Sequence, residues 1–107
     1  MKRTKSYHES LIKALKNPRE AAEYLNTVLE EGDPGLFLVA LRNVAEAHGG
    51  ITKISGEIKR HKGNLYKMLS KHGNPEIQTL THLLDRLGMR LAVMSKSART
   101  SKLPRAA

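Results

Sequence analysis

Apolar residues recur at helical spacing along most of the chain, and turn residues cut that pattern into short pieces. Tyr7, Leu11, Ile12 and Leu15 share one face of a helix expected over residues 7–16. Asn17-Pro18 reads as an N-cap followed by proline at the first helical position. The helix it opens carries Ala21, Ala22, Leu25, Val28 and Leu29 on one face, runs to about Glu31, and stops at Gly32. Asp33-Pro34 repeats the start signal. Leu36, Phe37, Ala40, Leu41, Val44 and Ala45 then form a broad apolar stripe. Gly49-Gly50 ends it, because glycine accepts the left-handed conformation that closes many helices.

Two short helices follow. The first, over residues 52–58, points Ile54 and Ile58 inward and takes Thr52 as its N-cap. The second, over 62–70, points Leu65, Met68 and Leu69 inward. Gly73-Asn74-Pro75 is a break. A last helix over 76–87 carries Ile77, Leu80, Leu83, Leu84 and Leu87 and ends at Gly88. Met89-Arg90-Leu91-Ala92-Val93-Met94 partly alternates and predicts a short C-terminal strand. From Ser95 the chain is polar, basic and aperiodic. The fold class expected is all-α, a small helical bundle. It has a basic N-terminal tail over 1–5, one helical domain over 6–94 and a basic disordered tail over 95–107.

Composition narrows the chemistry. The chain has 107 residues, one domain's worth, with no Trp and a single Phe, so the core must be aliphatic. With no cysteine there is neither a disulfide framework nor a thiolate metal site, which fits a reducing cytoplasm. No apolar run approaches the roughly 20 residues of a membrane span. The basic start, Met1-Lys2-Arg3-Thr4-Lys5, is followed by Glu9 and Lys13 and does not read as a signal peptide.

The formal charge of +9 is unevenly placed. The two tails hold +3 and +4, which leaves +2 for 6–94. Within that domain, 6–50 sets four bases against seven acids. Residues 53–71 set six bases (Lys53, Lys59, Arg60, Lys62, Lys67, Lys71) against Glu57 alone. An acidic half followed by a basic segment describes a two-faced molecule, and a basic face attracts phosphate.

That basic segment has the layout of a helix-turn-helix between Ile51 and Ser70. Ile54 and Ser55 supply the large apolar residue and the small one that lets the second helix cross closely. Leu65 pins the second, recognition helix to the core. His61, Lys62, Gly63 and Asn64 stand outward at its start, with Lys67 a turn later. Lys pairs with guanine acceptors and Asn with adenine, while a glycine lets backbone approach DNA closely. Lys53 and Lys71 are placed to meet phosphate. Lys59 occupies the turn position where glycine is common, so either the turn has another shape or it tolerates a left-handed lysine.

The chain also resembles a family, from about Ser6 to Val93. The residues concerned are Asn17-Pro18-x-x-Ala21-Ala22-x-Tyr24-Leu25-Asn26 and Leu29-Glu30-Glu31-Gly32-Asp33-Pro34. They continue as Leu36-Phe37-Leu38-x-Ala40-Leu41-Arg42-x-Val44-Ala45-Glu46-Ala47, Gly49-Gly50 and Leu65-Tyr66-Lys67-x-Leu69-Ser70. Gly73-Asn74-Pro75, Thr79-Leu80, Leu83-Leu84 and Leu87-Gly88 complete the set. It looks like the probable addiction-module antidote proteins, regulators similar to HigA antitoxins with a helix-turn-helix of the Cro/C1 repressor type. The resemblance implies a transcriptional regulator that acts as an antitoxin, often encoded beside a RelE-like toxin that cleaves messenger RNA. Lys59, Arg60 and His61 depart from the family's glycine, apolar residue and serine.

Other constellations carry less. The five histidines (His8, His48, His61, His72, His82) show no metal-ligand spacing, and no cofactor is expected. Tyr24 and Tyr66 fall on helices and read as packing residues. No nucleophile, base and orienter set is visible, so no enzymatic role is expected. The expectation is a sequence-specific regulator binding double-stranded operator DNA as a homodimer, with the contact between copies near 89–94. Two other readings stand beside it. One is an interaction module whose acidic helices neutralise a basic toxin without specific DNA binding. The other is a small nuclease or RNA-binding protein, which lacks a catalytic set.

Overall fold

The computed structural model describes residues 5–97 and contains six helices: α1 (Lys5–Ala14), α2 (Pro18–Glu30), α3 (Pro34–Ala47), α4 (Ile51–Glu57), α5 (Lys62–Met68) and α6 (Ile77–Arg86). Residues 1–4 and 98–107, which make up most of the two basic tails, lie outside the described residues.

The starts of α2 and α3 follow the sequence signals. The Asn17 side chain accepts the Arg19 backbone N–H at 2.8 Å. Asp33 accepts those of Gly35 and Leu36, at 2.9 and 3.3 Å. Each cap occupies donors that the first helical turn leaves unpaired, and Pro18 and Pro34 stand where no donor is needed.

The start of α4 differs from expectation. Thr52 is not its cap: the helix begins at Ile51, with Gly50 at the N-cap and no side-chain hydrogen bond there. Ile51 is buried and Thr52 exposed, so anchoring the first apolar residue sets the boundary one position early.

One aliphatic core joins all six helices. Leu25, Leu41, Val44, Ile54, Leu65, Leu69, Leu83 and Leu87 are buried in it, and Leu11 of α1 packs against its edge. α3 is the central element and contacts α1, α2 and α4, while α4 packs on α5. Polar links tie the periphery. His48 Nε2, just past α3, donates to the Leu15 carbonyl at 2.9 Å, which closes the end of α1. His8 of α1 meets Glu46 of α3 at 3.4 Å on the surface. Arg86 of α6 pairs with Glu57 of α4.

Four apolar positions depart from the pattern. Tyr7, Leu29, Leu36 and Ile77, all read on apolar helix faces, are 49%, 51%, 41% and 64% exposed. Tyr7, Leu36 and Ile77 lie in the first turn of their helices and Leu29 in the last turn of α2, where the chain is only arriving at the core or leaving it. Leu38, outside the expected stripe, is buried instead.

The expected C-terminal strand is absent among the described residues. After Gly88 the chain runs without regular structure to a turn at residues 96–97. Among the described residues there is no second strand to pair with it, and an unpaired strand has no ladder to hold it. Met89 packs against the core, while Leu91 and Val93 stand 44% and 90% exposed.

Candidate nucleic-acid interface

The α4–turn–α5 unit is built by burying four apolar residues, Ile51 at the start of α4 among them, and leaving most of the rest outside. Ile54 and Leu65 hold the two helices to the core, and Leu69 pins the chain just beyond α5. Ser55 is buried, and its hydroxyl donates to the Thr52 carbonyl at 2.9 Å, so the small residue takes up its own polar group locally.

The turn is a Schellman closure. Arg60 N–H donates to the Ser55 carbonyl at 2.9 Å, and Lys59 N–H to that of Gly56 at 3.3 Å. Lys59 therefore takes the left-handed conformation, φ 58°, and is the sole non-glycine with positive φ among the described residues. The same closure ends α3 at Gly49 and α6 at Gly88, where Gly50 bonds Ala45 at 2.9 Å and Met89 bonds Leu84 at 2.8 Å. Two of the three turns have glycine, and the one between α4 and α5 makes a lysine adopt the same shape. Of the two options the sequence left open, the structure takes the strained one.

Arg60 shows why an apolar residue is dispensable after that lysine. Its side chain is half buried, with Nε shielded from solvent and without a hydrogen-bond partner among the described residues. The aliphatic stem takes the place of an apolar side chain. It borders a cavity of about 250 Å³ whose wall also includes His61, Asn64, Met68, Glu76 and Thr79.

The outward residues divide into groups. Lys62, Gly63 and Lys67 lie together on the exposed face of α5, which has no acidic residue. Asn64 is exposed on the flank that faces the start of α6, where it borders the cavity with Glu76 and Thr79. Lys62 and Asn64 are thus on different edges of one short helix. His61 precedes α5 without capping it. Its ring leans over Gly63: Cε1 lies 3.1 Å from where a Cβ would stand, so the space above that glycine is partly taken.

The remaining two cations come from other elements. Lys53 is on α4, its stem against Gly49, 2.9 Å from where that residue's Cβ would be. Lys71 follows α5, and its carbonyl lies 2.5 Å from where a Cβ of Gly35 would stand, so only glycine fits there at the start of α3. Sequence reasoning missed one outward residue. Tyr66, taken for packing, is 46% exposed on α5. The seven-residue length of α5 is the signal: two buried leucines, at 65 and 69, already satisfy its inner face.

One ion pair ties the unit to α6. The Glu57 carboxyl is held below its ordinary value of 4.5, first by the hydrogen bond from Arg86, with the Arg86 and Lys53 charges adding to it. Arg86 also reaches the His48 carbonyl at 3.5 Å, so α6 grips the end of α4 and the end of α3 together. The acidic side chains Glu20, Glu23, Glu30, Glu31 and Asp33, on or just beyond α2, are all exposed.

Among the described residues no group of three or more His, Asp or Glu side chains is placed to hold a metal ion. No described helix is long and apolar enough to cross a membrane. Residues 5–95 match the sequence profile of a family described as "probable addiction module antidote protein". The chain is also 32% identical over 79 residues to a protein of Haemophilus influenzae (strain KW20 / Rd) described as uncharacterized. That match covers 74% of this chain and 80% of the relative. No solved structure matches the chain.

Proposed function

The chain belongs to the family of probable addiction module antidote proteins, and from that premise we propose that it is an antitoxin that also regulates transcription by binding operator DNA. The observation that carries the DNA-binding part is the α4–turn–α5 unit. It sets a short helix on the surface, buries its leucines, and leaves Lys62, Lys67 and their neighbours free on a segment of net +5. An exposed second helix entering the major groove is how a helix-turn-helix of the Cro/C1 type reads sequence. Lys62 and Asn64 contact base edges. Lys53, His61 and Lys71 meet phosphate, Lys67 supports both, and Gly63 keeps the backbone close.

The working form is a homodimer, since one copy presents a single recognition helix. Leu91 and Val93 support the placement of the contact near 89–94, because they leave apolar surface in water that the monomer's own core does not use. The experiment is a gel-shift titration of DNA from upstream of the chain's own coding sequence against scrambled DNA of the same composition. Preferential retardation of the upstream DNA is expected. Equal retardation of both removes the sequence-specific reading.

A second reading concerns the toxin that an addiction-module antidote implies. The exposed acids on and just beyond α2 favour a basic partner, of which a RelE-like toxin is an example, and the 51% exposed Leu29 adds apolar surface beside them. This is the interaction-module reading, and it survives if DNA binding fails. Co-purification with the product of the adjacent gene tests it: Glu30→Lys with Glu31→Lys is expected to abolish the complex and leave DNA binding intact.

A further inference from the structure

The fold uses two tyrosines in opposite ways. Tyr24 is half buried between α2 and α3, and its hydroxyl accepts a hydrogen bond from Asn43 Nδ2 at 3.0 Å. Tyr66 is 46% exposed on α5, and among the described residues its hydroxyl makes no hydrogen bond. The fold leaves its ring out of the core. At about 100° of turn per residue, Lys62 and Tyr66 share one edge of α5, with Gly63 and then Lys67 beside them. Gly63 has no side chain of its own, and the His61 ring fills part of the space above it.

This inference rests on α5 being the recognition helix. We propose that Tyr66 is a specificity-determining residue whose ring packs on the C5 methyl of a thymine in the major groove. The reason is chemical. Lys62 and Asn64 suit the hydrogen-bonding edges of guanine and adenine, but an aromatic ring offers mainly apolar surface. The thymine methyl is the apolar group that normal base pairs present in the major groove. The flanking lysines hold phosphate and base acceptors close enough for the ring to reach it. Burying one methyl against the ring is worth about fourfold in affinity.

The test begins with selection of a bound sequence from a random double-stranded library of about 20 base pairs, using the full chain. Each thymine of the selected site is then replaced by deoxyuridine, which removes only the methyl. The wild-type protein is expected to lose about fourfold at one position of each half-site. Tyr66→Phe keeps that penalty, and Tyr66→Ala, checked for folding by circular dichroism, binds thymine and uracil alike. A flat deoxyuridine scan with the wild-type protein overturns the proposal while leaving specific DNA binding intact, and so does a penalty that persists in Tyr66→Ala. Failure to select any sequence overturns the DNA-binding reading, and the proposal with it.

Discussion

Replacing Lys59 by glycine measures the strain stored in the turn between α4 and α5. The turn has the same hydrogen bonds as those at Gly49 and Gly88, but its left-handed residue carries a Cβ. A left-handed residue with a Cβ costs about 1–2 kcal/mol from the clash with the following carbonyl. Glycine gives back part of the gain, because its freedom in the unfolded chain is worth about 0.4–1 kcal/mol. The net expected for Lys59→Gly is a stabilisation of about 0.5–1 kcal/mol. In a domain of this size that raises the melting temperature by about 2–8 °C. Thermal melting followed by far-ultraviolet circular dichroism reads it directly. A competing cause is relief of charge crowding, since Lys59 lies in a segment of net +5. Lys59→Ala separates the two, because it removes the same charge and keeps the Cβ; it is expected to gain little. Gly88→Ala is the mirror experiment: φ is 84° there, and the added Cβ meets Pro18 Cγ at 3.3 Å, so the melting temperature falls. The strain argument is refuted if Lys59→Gly is neutral, or if Lys59→Ala stabilises as much.

Further outcomes follow from the same geometry. Lys62→Ala and Asn64→Ala each relax sequence preference, by about 1–3 kcal/mol between cognate and scrambled DNA in a gel-shift titration. Lys53→Ala and Lys71→Ala weaken both DNAs evenly and lower the salt slope by about one unit each. Glu57 has a lowered pKa in the folded chain, so its pairing with Arg86 stabilises the fold above the ordinary value of 4.5 and is lost as pH falls through the folded value. Melting curves of Glu57→Gln therefore approach those of the wild type at acid pH and lie below them near neutrality. For the proposed homodimer, Val93→Asp is expected to give a folded monomer in sedimentation velocity; an unchanged dimer moves the interface elsewhere, and an unfolded chain means that the segment covers the monomer's own core.

Helix starts built from side-chain chemistry were legible in the sequence, and those built from burial were not. Asn17-Pro18 and Asp33-Pro34 each announce a cap that the structure forms. The start of α4 has no such side chain, so reading Thr52 as a cap missed a boundary set by the burial of Ile51. Periodicity found the core but overreached at helix ends, where Tyr7, Leu29, Leu36 and Ile77 have the right spacing and too little to pack against. The segment after Gly88 alternates as a strand does, yet alternation specifies a face and not a partner. At the candidate interface, residue type located the basic helix, but it left open whether the turn takes another shape or holds Lys59 left-handed, and the packed structure decides for the second. The division of α5 into an edge with Lys62 and Tyr66 and an opposite edge with Asn64 needed the helix packed on its neighbours. So did the path of Arg60, whose charge hides a stem that is partly buried.

The central claim is that α4 and α5 form the DNA interface. Titrating the isotope-labelled protein with DNA from upstream of its own coding sequence, and following every backbone amide by NMR, tests it most directly. The account predicts that the largest shifts fall between Ile51 and Lys71, led by Lys62, Gly63, Tyr66 and Lys67, while the amides of α2 stay in place. Shifts concentrated on α2, or confined to the chain termini with α5 unmoved, would contradict it.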